Sequence, residues 1–238
     1  MKIIKKNINL LEYPLWTPSS NKATLKEYSV GNKYIISTKN GLPTSKDIDI
    51  LNMLIYFSQL RKSNTFSFDS YYNIIKGMGY SCSGIIYNML EESLNRWVDT
   101  NITFIDSFFI NGKKKSYSKI NIIDSIKIKK HNSINIKIGS EFYNLNQDKY
   151  SKVIYLDKIK ALSPTSKRLF EILIKNFYKR IEWKIVNVKL FEKMITDEIR
   201  IKKMEKIVEE INLLNKKIKL EISKTNNIFY FNKNKILI

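Results

Sequence analysis

The side chains that most metal sites and nucleophilic active sites require are nearly absent from this sequence. The chain has 238 residues but only one histidine, His131, and one cysteine, Cys82. Zinc sites need clusters of His, Cys or carboxylate ligands. A Ser-His-Asp or Cys-His active site would have to use His131, which lies in a lysine-rich run. We therefore expect no catalytic residue, no metal and no cofactor, and a protein that is not an enzyme.

Phosphate-binding loops and nuclease sites are equally hard to place. None of the seven glycines stands in a Gly-x4-Gly-Lys-Ser/Thr frame, and Gly77-Met-Gly79 follows no strand, so we interpret it as a helix C-cap. A metal-dependent nuclease would need paired carboxylates, and the tight pairs are Asp47/Asp49 and Glu91/Glu92. Asp47 is explained by the start of a helix, and Glu91/Glu92 by a solvated helix face.

The charge balance points instead to binding of a polyanion. The formal net charge is +20, from 42 Lys and Arg against 22 Asp and Glu. A field of this sign concentrates nucleic acid and speeds its association. Codon usage in an AT-rich genome would inflate the lysine content, but it does not explain why the carboxylates fail to keep pace. We predict nucleic acid as the partner, ahead of anionic membrane surfaces.

Three groups of side chains are predicted to contact DNA. The outward face of a helix beginning near residue 84 offers hydroxyl and amide groups, and asparagine can pair with adenine through two hydrogen bonds. Three consecutive lysines open the return strand of a hairpin, where with Tyr117 and Lys119 they would clamp phosphate. A later helix carries four cations opposite its apolar stripe. The predicted DNA-binding residues are Ser83, Gly84, Tyr87, Asn88, Lys113, Lys114, Lys115, Arg200, Lys202, Lys203 and Lys206.

Simpler explanations for some of these residues stay open. Packing beneath a neighbouring hairpin explains Tyr87 equally well, and plain solvation explains Asn88 equally well. Arg96, near the end of its helix, is placed to interact with the helix dipole rather than with DNA. Runs of charge are usually only solvated, so the assignment of the three lysines depends on their position at a hairpin tip.

The elements that position these residues occur in the same order in both halves of the chain. Pro-Thr-Ser-Lys at 43–46 recurs at 164–167, and each copy precedes an apolar helix, a strand, two further helices and a hairpin. The hairpin turns are predicted at Asn111-Gly112 and Asn226-Asn227. We interpret this recurrence as an internal duplication.

Helix, strand, helix, helix, hairpin is the order of a winged helix, in which the third helix enters the major groove. We therefore predict an α+β fold of two tandem winged-helix domains related by pseudo-duplication. Residues 1–40 would form an N-terminal arm, 41–148 the first domain and 149–238 the second. The alternative is an unrelated α+β domain with a coiled-coil-like final helix.

Membrane and secretory signals are missing. No apolar stretch approaches the ~20 residues that a membrane span needs, and the N-terminus lacks the apolar region of a signal peptide. A single cysteine cannot form an internal disulfide and fits a reducing compartment. We expect a cytoplasmic protein with no membrane partner.

Three segments resemble the plasmid replication initiator protein A family. They are residues 41–55, residues 79–97 with their Gly-x4-Gly-x2-Tyr-x2-Leu-x3-Leu-x-Arg spacing, and residues 155–169 with Tyr-Leu-Asp followed by Leu-Ser-Pro-Thr-Ser-Lys-Arg-Leu. The resemblance runs from about residue 12 onward, and its motifs concern packing and turns rather than catalysis. One departure is Met78, where leucine is expected.

This resemblance implies an initiator that binds repeated sites in double-stranded DNA at a theta-type plasmid origin. Such a protein helps to open an AT-rich region and brings in host replication proteins. The resemblance also implies tandem winged helices and a homodimer that represses its own gene. Groove-facing residues would vary with the origin and are not carried over. A winged-helix transcriptional repressor without a replication role is the alternative.

Overall fold

A computed structural model of the chain describes residues 1–110, 113–128, 133–177, 180–214 and 218–235. Short helices and small antiparallel sheets are mixed along this part of the chain, so the α+β class is confirmed. Within the described ranges, no helix combines the length and apolar character needed to cross a bilayer.

The first forty residues, predicted to be an arm, form regular elements that pair with both halves. They contain β1 (Ile3–Asn7), α1 (Ile8–Glu12), a 3₁₀ turn (Ser20–Lys22), β2 (Glu27–Val30) and β3 (Tyr34–Ser37). β1 pairs antiparallel with β9 (Ser151–Tyr155), and β3 pairs with β5 (Asn101–Ile110). Because Trp16 and Tyr34 are fully buried, this segment also contributes to the core.

The two halves share the order helix, strand, helix, helix, hairpin, to which the first half adds two strands before the hairpin and a helix after it, and the second half adds a short helix at its start. The first comprises α2 (Ser45–Arg61), β4 (Thr65–Phe68), α3 (Tyr71–Met78), α4 (Gly84–Asp99), β5, β6 (Lys113–Asn121), β7 (Ile123–Ile128), β8 (Ile134–Ile138) and α5 (Ser140–Gln147). After β9, the second comprises α6 (Leu156–Lys160), α7 (Pro164–Asn176), β10 (Glu182–Val186), α8 (Asn187–Met194), α9 (Ile201–Asn212), β11 (Ile218–Thr225) and β12 (Ile228–Lys235).

The sheets of the two halves also match. Their strand orders are β4-β8-β7 and β10-β12-β11. In both halves, the strand that follows the Pro-Thr-Ser-Lys helix (α2 or α7) pairs with the last strand of the hairpin. The sheet β2-β3-β5-β6 stands outside this repeated pattern.

The strands predicted on either side of Asn111-Gly112 pair with each other, and the return strand ends at Asn121. The turn itself lies outside the described residues, and β5 and β6 pair on either side of it. The chain then changes sheet at Ile122, which is fully buried and accepts a hydrogen bond from the amide of Gly139 (3.0 Å). A Cβ on Gly139 would lie 2.1 Å from the carbonyl oxygen of Asn121, so this crossing requires glycine. By position in the repeated order, β7–β8 corresponds to β11–β12.

The two Pro-Thr-Ser-Lys segments both begin helices, yet their lysines differ. Thr44 caps α2, and its amide and hydroxyl both donate to the Asp47 carboxylate (2.6 and 2.8 Å). Lys46 is exposed, whereas Lys167 is buried and its Nζ lies 2.8 Å from Oδ1 of Asp49. The second motif therefore joins α7 to α2, and a shared sequence serves two different contacts.

A buried ionic cluster fastens the N-terminal segment to α7. Glu171 accepts from Nζ of Lys6 (2.6 Å), Nη1 of Arg168 (3.0 Å) and the indole of Trp16 (3.1 Å), and all four side chains are buried. Burial alone would raise the pKa of Glu171, but the charges and hydrogen bonds of Lys6 and Arg168 hold it below its usual value. The carboxylate is therefore charged in the folded chain.

Candidate nucleic-acid interface

The start of α4 presents the polar residues predicted from the sequence. Ser83 is the N-cap residue, and Ser83, Gly84 and Asn88 are exposed, whereas Tyr87 is half-buried. A Cβ on Gly84 would meet nothing within 4 Å, so packing does not require glycine there. Among the described residues nothing hydrogen-bonds the Asn88 side chain. This end of the helix is open to a partner.

The opposite face of α4 is held firmly against α2. Leu90, Leu94 and Trp97 are buried, and the indole of Trp97 donates to the backbone carbonyl of Asp47 (2.8 Å). Arg96 donates through Nη1 to both carboxylate oxygens of Asp47 (2.7 and 2.8 Å). Arg96 therefore makes an ion pair with α2, a role that the sequence did not reveal.

The carboxylate pairs considered for a nuclease have other partners or lie apart from any cluster. Asp47 is bound by Arg96 and Asp49 by Lys167, while Glu91 and Glu92 are exposed. Throughout the ranges that the structure describes, no group of three or more His, Cys, Asp or Glu is placed to hold a metal ion.

Asn88 lines a depression in the surface together with residues that were not among the predicted DNA-binding residues. Lys46, at the start of α2, and Ile85, in the first turn of α4, both line it. Lys46 is exposed, and 80% of Ile85 is exposed. The sequence could have indicated that both are exposed, because Lys46 precedes the apolar stripe of α2, which begins at Ile48, and Ile85 precedes that of α4, which begins at Ile86.

The first turns of α9 concentrate positive charge. Arg200 is the N-cap residue, and Lys202, Lys203 and Lys206 follow on the exposed side of the helix. The buried side is Met204, Ile207, Val208 and Ile211. None of the four cations forms an ion pair with a described residue. Because the N-terminal end of a helix dipole disfavours cations, helix stability does not explain this arrangement.

The predicted lysine clamp lies on β6. Lys115, Tyr117 and Lys119 are exposed, and the side chains of Lys113 and Lys114 lie outside the described part of the chain. β6 belongs to the sheet β2-β3-β5-β6 rather than to the sheet containing β7 and β8. The predicted sites thus occupy three elements, of which α4 and α9 hold equivalent places in the two halves.

Comparison with known proteins places this arrangement in a family. A family model described as Replication initiator protein A matches residues 5–216. The fold is similar to a crystal structure of domains 2 and 3 of RctB, with a TM-score of 0.62 and 12% identity over 95% of this chain and 96% of that chain. A second crystal structure of RctB domains 2–3 has a TM-score of 0.55 and 10% identity over 88% of this chain and 90% of that chain.

No curated protein matches the chain in sequence. At 10–12% identity the likeness to RctB concerns the fold, and it extends through both halves. The family match covers the N-terminal segment from residue 5 onward, α4 and the whole of α9 with its four cations. It confirms the family recognised from residues 41–55 and 79–97. The chain belongs to the replication initiator protein A family.

Proposed function

We propose that this replication initiator binds repeated sites in double-stranded DNA at a plasmid origin, promotes origin opening and brings in host replication proteins. It would do so by binding alone, without catalysing a reaction. The observation that carries the proposal is that both halves present an exposed helix start with polar or basic residues, followed by a hairpin. A homodimer that represses its own gene is part of the same proposal.

We infer that each half is a winged helix. The repeated element order and the equivalent strand orders β4-β8-β7 and β10-β12-β11 support this assignment. In that arrangement α4 and α9 enter the major groove, and β7–β8 and β11–β12 are the wings. Two such units in one chain would suit two adjacent segments of one DNA site.

The two helices would divide the work of recognition. α4 carries an exposed amide at Asn88 and hydroxyls at Ser83 and Tyr87, which suit base edges and nearby phosphates. α9 carries four cations, which suit phosphates and carry little sequence information. We therefore assign base selection mainly to α4 and backbone binding mainly to α9.

Asn88→Ala is expected to change which DNA sequence is preferred. Losing two hydrogen bonds to adenine should cost about 1–3 kcal/mol at one base pair and leave the other positions unchanged. Kd values for a set of single-base variants of the bound duplex would measure this. Lys206→Ala is the comparison, because removing a phosphate-binding cation should weaken binding to every sequence equally. Equal weakening by Asn88→Ala would show that Asn88 contacts only the backbone.

The initiator role is tested by placing the gene and its flanking DNA on a plasmid that lacks any other origin. We expect the plasmid to be maintained, and a matched plasmid with a stop codon early in the gene to be lost. Footprinting on the flanking DNA should show short direct repeats. Footprints without plasmid maintenance would support a transcriptional repressor instead, and absence of both would overturn the proposal.

A further inference from the structure

The sheet β2-β3-β5-β6 has one buried face and one face open to solvent. Ile102, Phe104 and Ile120 point into the core, together with Tyr34 and Ile36 of β3. From Asn101 to Ile105 in β5, and throughout β3 and the described side chains of β6, the alternate residues are exposed or half-buried. Past the irregularity in β5, Ser107 and Phe108 are buried, and Phe108 lies opposite Lys115. Neither the repeated element order nor the proposed duplex binding gives this open face a role.

Strand register places a row of aromatic, cationic and amide side chains across the open face. Tyr117 lies opposite Ile105, Lys119 opposite Thr103, and Asn121 opposite Asn101. On the neighbouring strand β3, Ile35 pairs with Thr103 and Ser37 pairs with Asn101. The pairs that contain Lys119 and Asn121 therefore extend across three strands.

Tyr117 is the most exposed aromatic side chain of this face, with 62% of its surface accessible. Its ring stacks on no other described ring, and Lys115 and Lys119 form no ion pair within the described ranges. Folding therefore makes little use of the three side chains. Lys115 and Lys119 lie two residues on either side of Tyr117 along β6. This sequence of side chains suits nucleotides with accessible base faces, because bases stack on aromatic rings and lysines contact the phosphates.

A duplex would fit this face poorly. Its base faces are covered by stacking, so only the phosphates could reach the sheet and Tyr117 would have no partner. A single strand offers free base faces, and the amides of Asn101 and Asn121 could bond its base edges.

We propose that the open face of the sheet β2-β3-β5-β6 binds single-stranded DNA, with Tyr117 stacked on a base and Lys115 and Lys119 on phosphates. This goes beyond the proposed function, in which α4 and α9 bind the duplex. An unwound origin would supply such a strand close to the bound protein.

The test uses the full chain and a fluorescein-labelled dT20 oligonucleotide, with affinity measured by fluorescence anisotropy. Tyr117→Ala should weaken binding of dT20 by about 5- to 150-fold, the loss expected for one stacked base. Tyr117→Phe keeps the ring and should stay within about twofold of the unchanged chain. Changing Lys115 and Lys119 to Gln should lower the salt slope by about 0.7 for each phosphate that is no longer neutralised.

Tyr155→Ala is the matched control, since Tyr155 is 40% exposed on β9, and it should leave dT20 binding unchanged. The proposal is overturned if the chain does not bind dT20, if Tyr117→Ala binds it normally, or if Tyr117→Ala weakens a duplex to the same degree. Tyr117-dependent binding that prefers rU20 over dT20 would assign the face to RNA instead. Binding of dT20 without binding of any duplex would refute the proposed duplex function and leave this inference standing.

Discussion

Replacing all four cations at the start of α9 with glutamine is expected to lower affinity for the origin duplex by roughly 1000-fold at physiological salt. Each phosphate contact contributes about 0.9 to the slope of log affinity against log salt, which is about fivefold in affinity at this ionic strength. The four side chains are exposed, so the packing of the helix is unchanged. Titrations at several salt concentrations should show the slope falling by about 3.6. The residues are Arg200, Lys202, Lys203 and Lys206.

A second variant separates this local effect from the loss of net charge. Lys26, Lys33, Lys62 and Lys149 are exposed on other elements or turns, and changing them to glutamine removes the same four charges. We expect this control to change affinity much less. If both variants lose affinity equally, the net positive charge of the chain accounts for binding, and the position of the four cations on α9 does not matter.

Glu171→Ala is expected to cause the largest loss of stability, about 3–5 kcal/mol of the free energy of unfolding. It would leave Lys6 and Arg168 buried without an anion, and the indole of Trp16 without its acceptor. The free energy of unfolding of a natural domain is only about 5–15 kcal/mol, so the variant should unfold at a much lower urea concentration than the unchanged chain. Glu91→Ala, at an exposed position, should change stability by no more than about 0.5 kcal/mol.

The same cluster predicts a pH dependence. Because the pKa of Glu171 is held below its unfolded value, its contribution is fully present above about pH 4.3 and is lost as the pH falls through the folded pKa. Acid titration of the unfolding free energy should therefore be less steep in Glu171→Ala than in the unchanged chain. Equal steepness would mean that Glu171 is not charged in the folded state.

Local features of the fold followed from the sequence because their causes are local. The Asn226-Asn227 turn joins β11 and β12 as predicted, with Thr225 opposite Ile228 and Asn226 at a positive φ of 53°. The start of α4, predicted near residue 84, was also placed correctly.

Long-range pairing could not be predicted in the same way. Nothing near residue 122 indicates that β6 and β7 join different sheets, since that depends on Gly139 approaching Asn121. Lysine is usually a surface residue, so the burial of Lys6 and Lys167 could not be predicted. Only the folded chain shows that they pair with the carboxylates of Glu171 and Asp49. In the candidate site, exposure of Asn88 and of the α9 cations agreed with the prediction, whereas their binding of DNA remains a prediction.

The pairing of β1 with β9 has a consequence for how the chain is made. Ile3 pairs with Tyr155, about 150 residues later, so β1 leaves the ribosome without its partner strand and stays unpaired until β9 has followed. At about 5–20 residues per second this interval lasts roughly 7–30 s. Over that time Ile4 and Trp16 cannot reach their final burial, and chaperones or proteases have access to them. Synthesis of β9, rather than folding of the first half alone, is needed to pair β1.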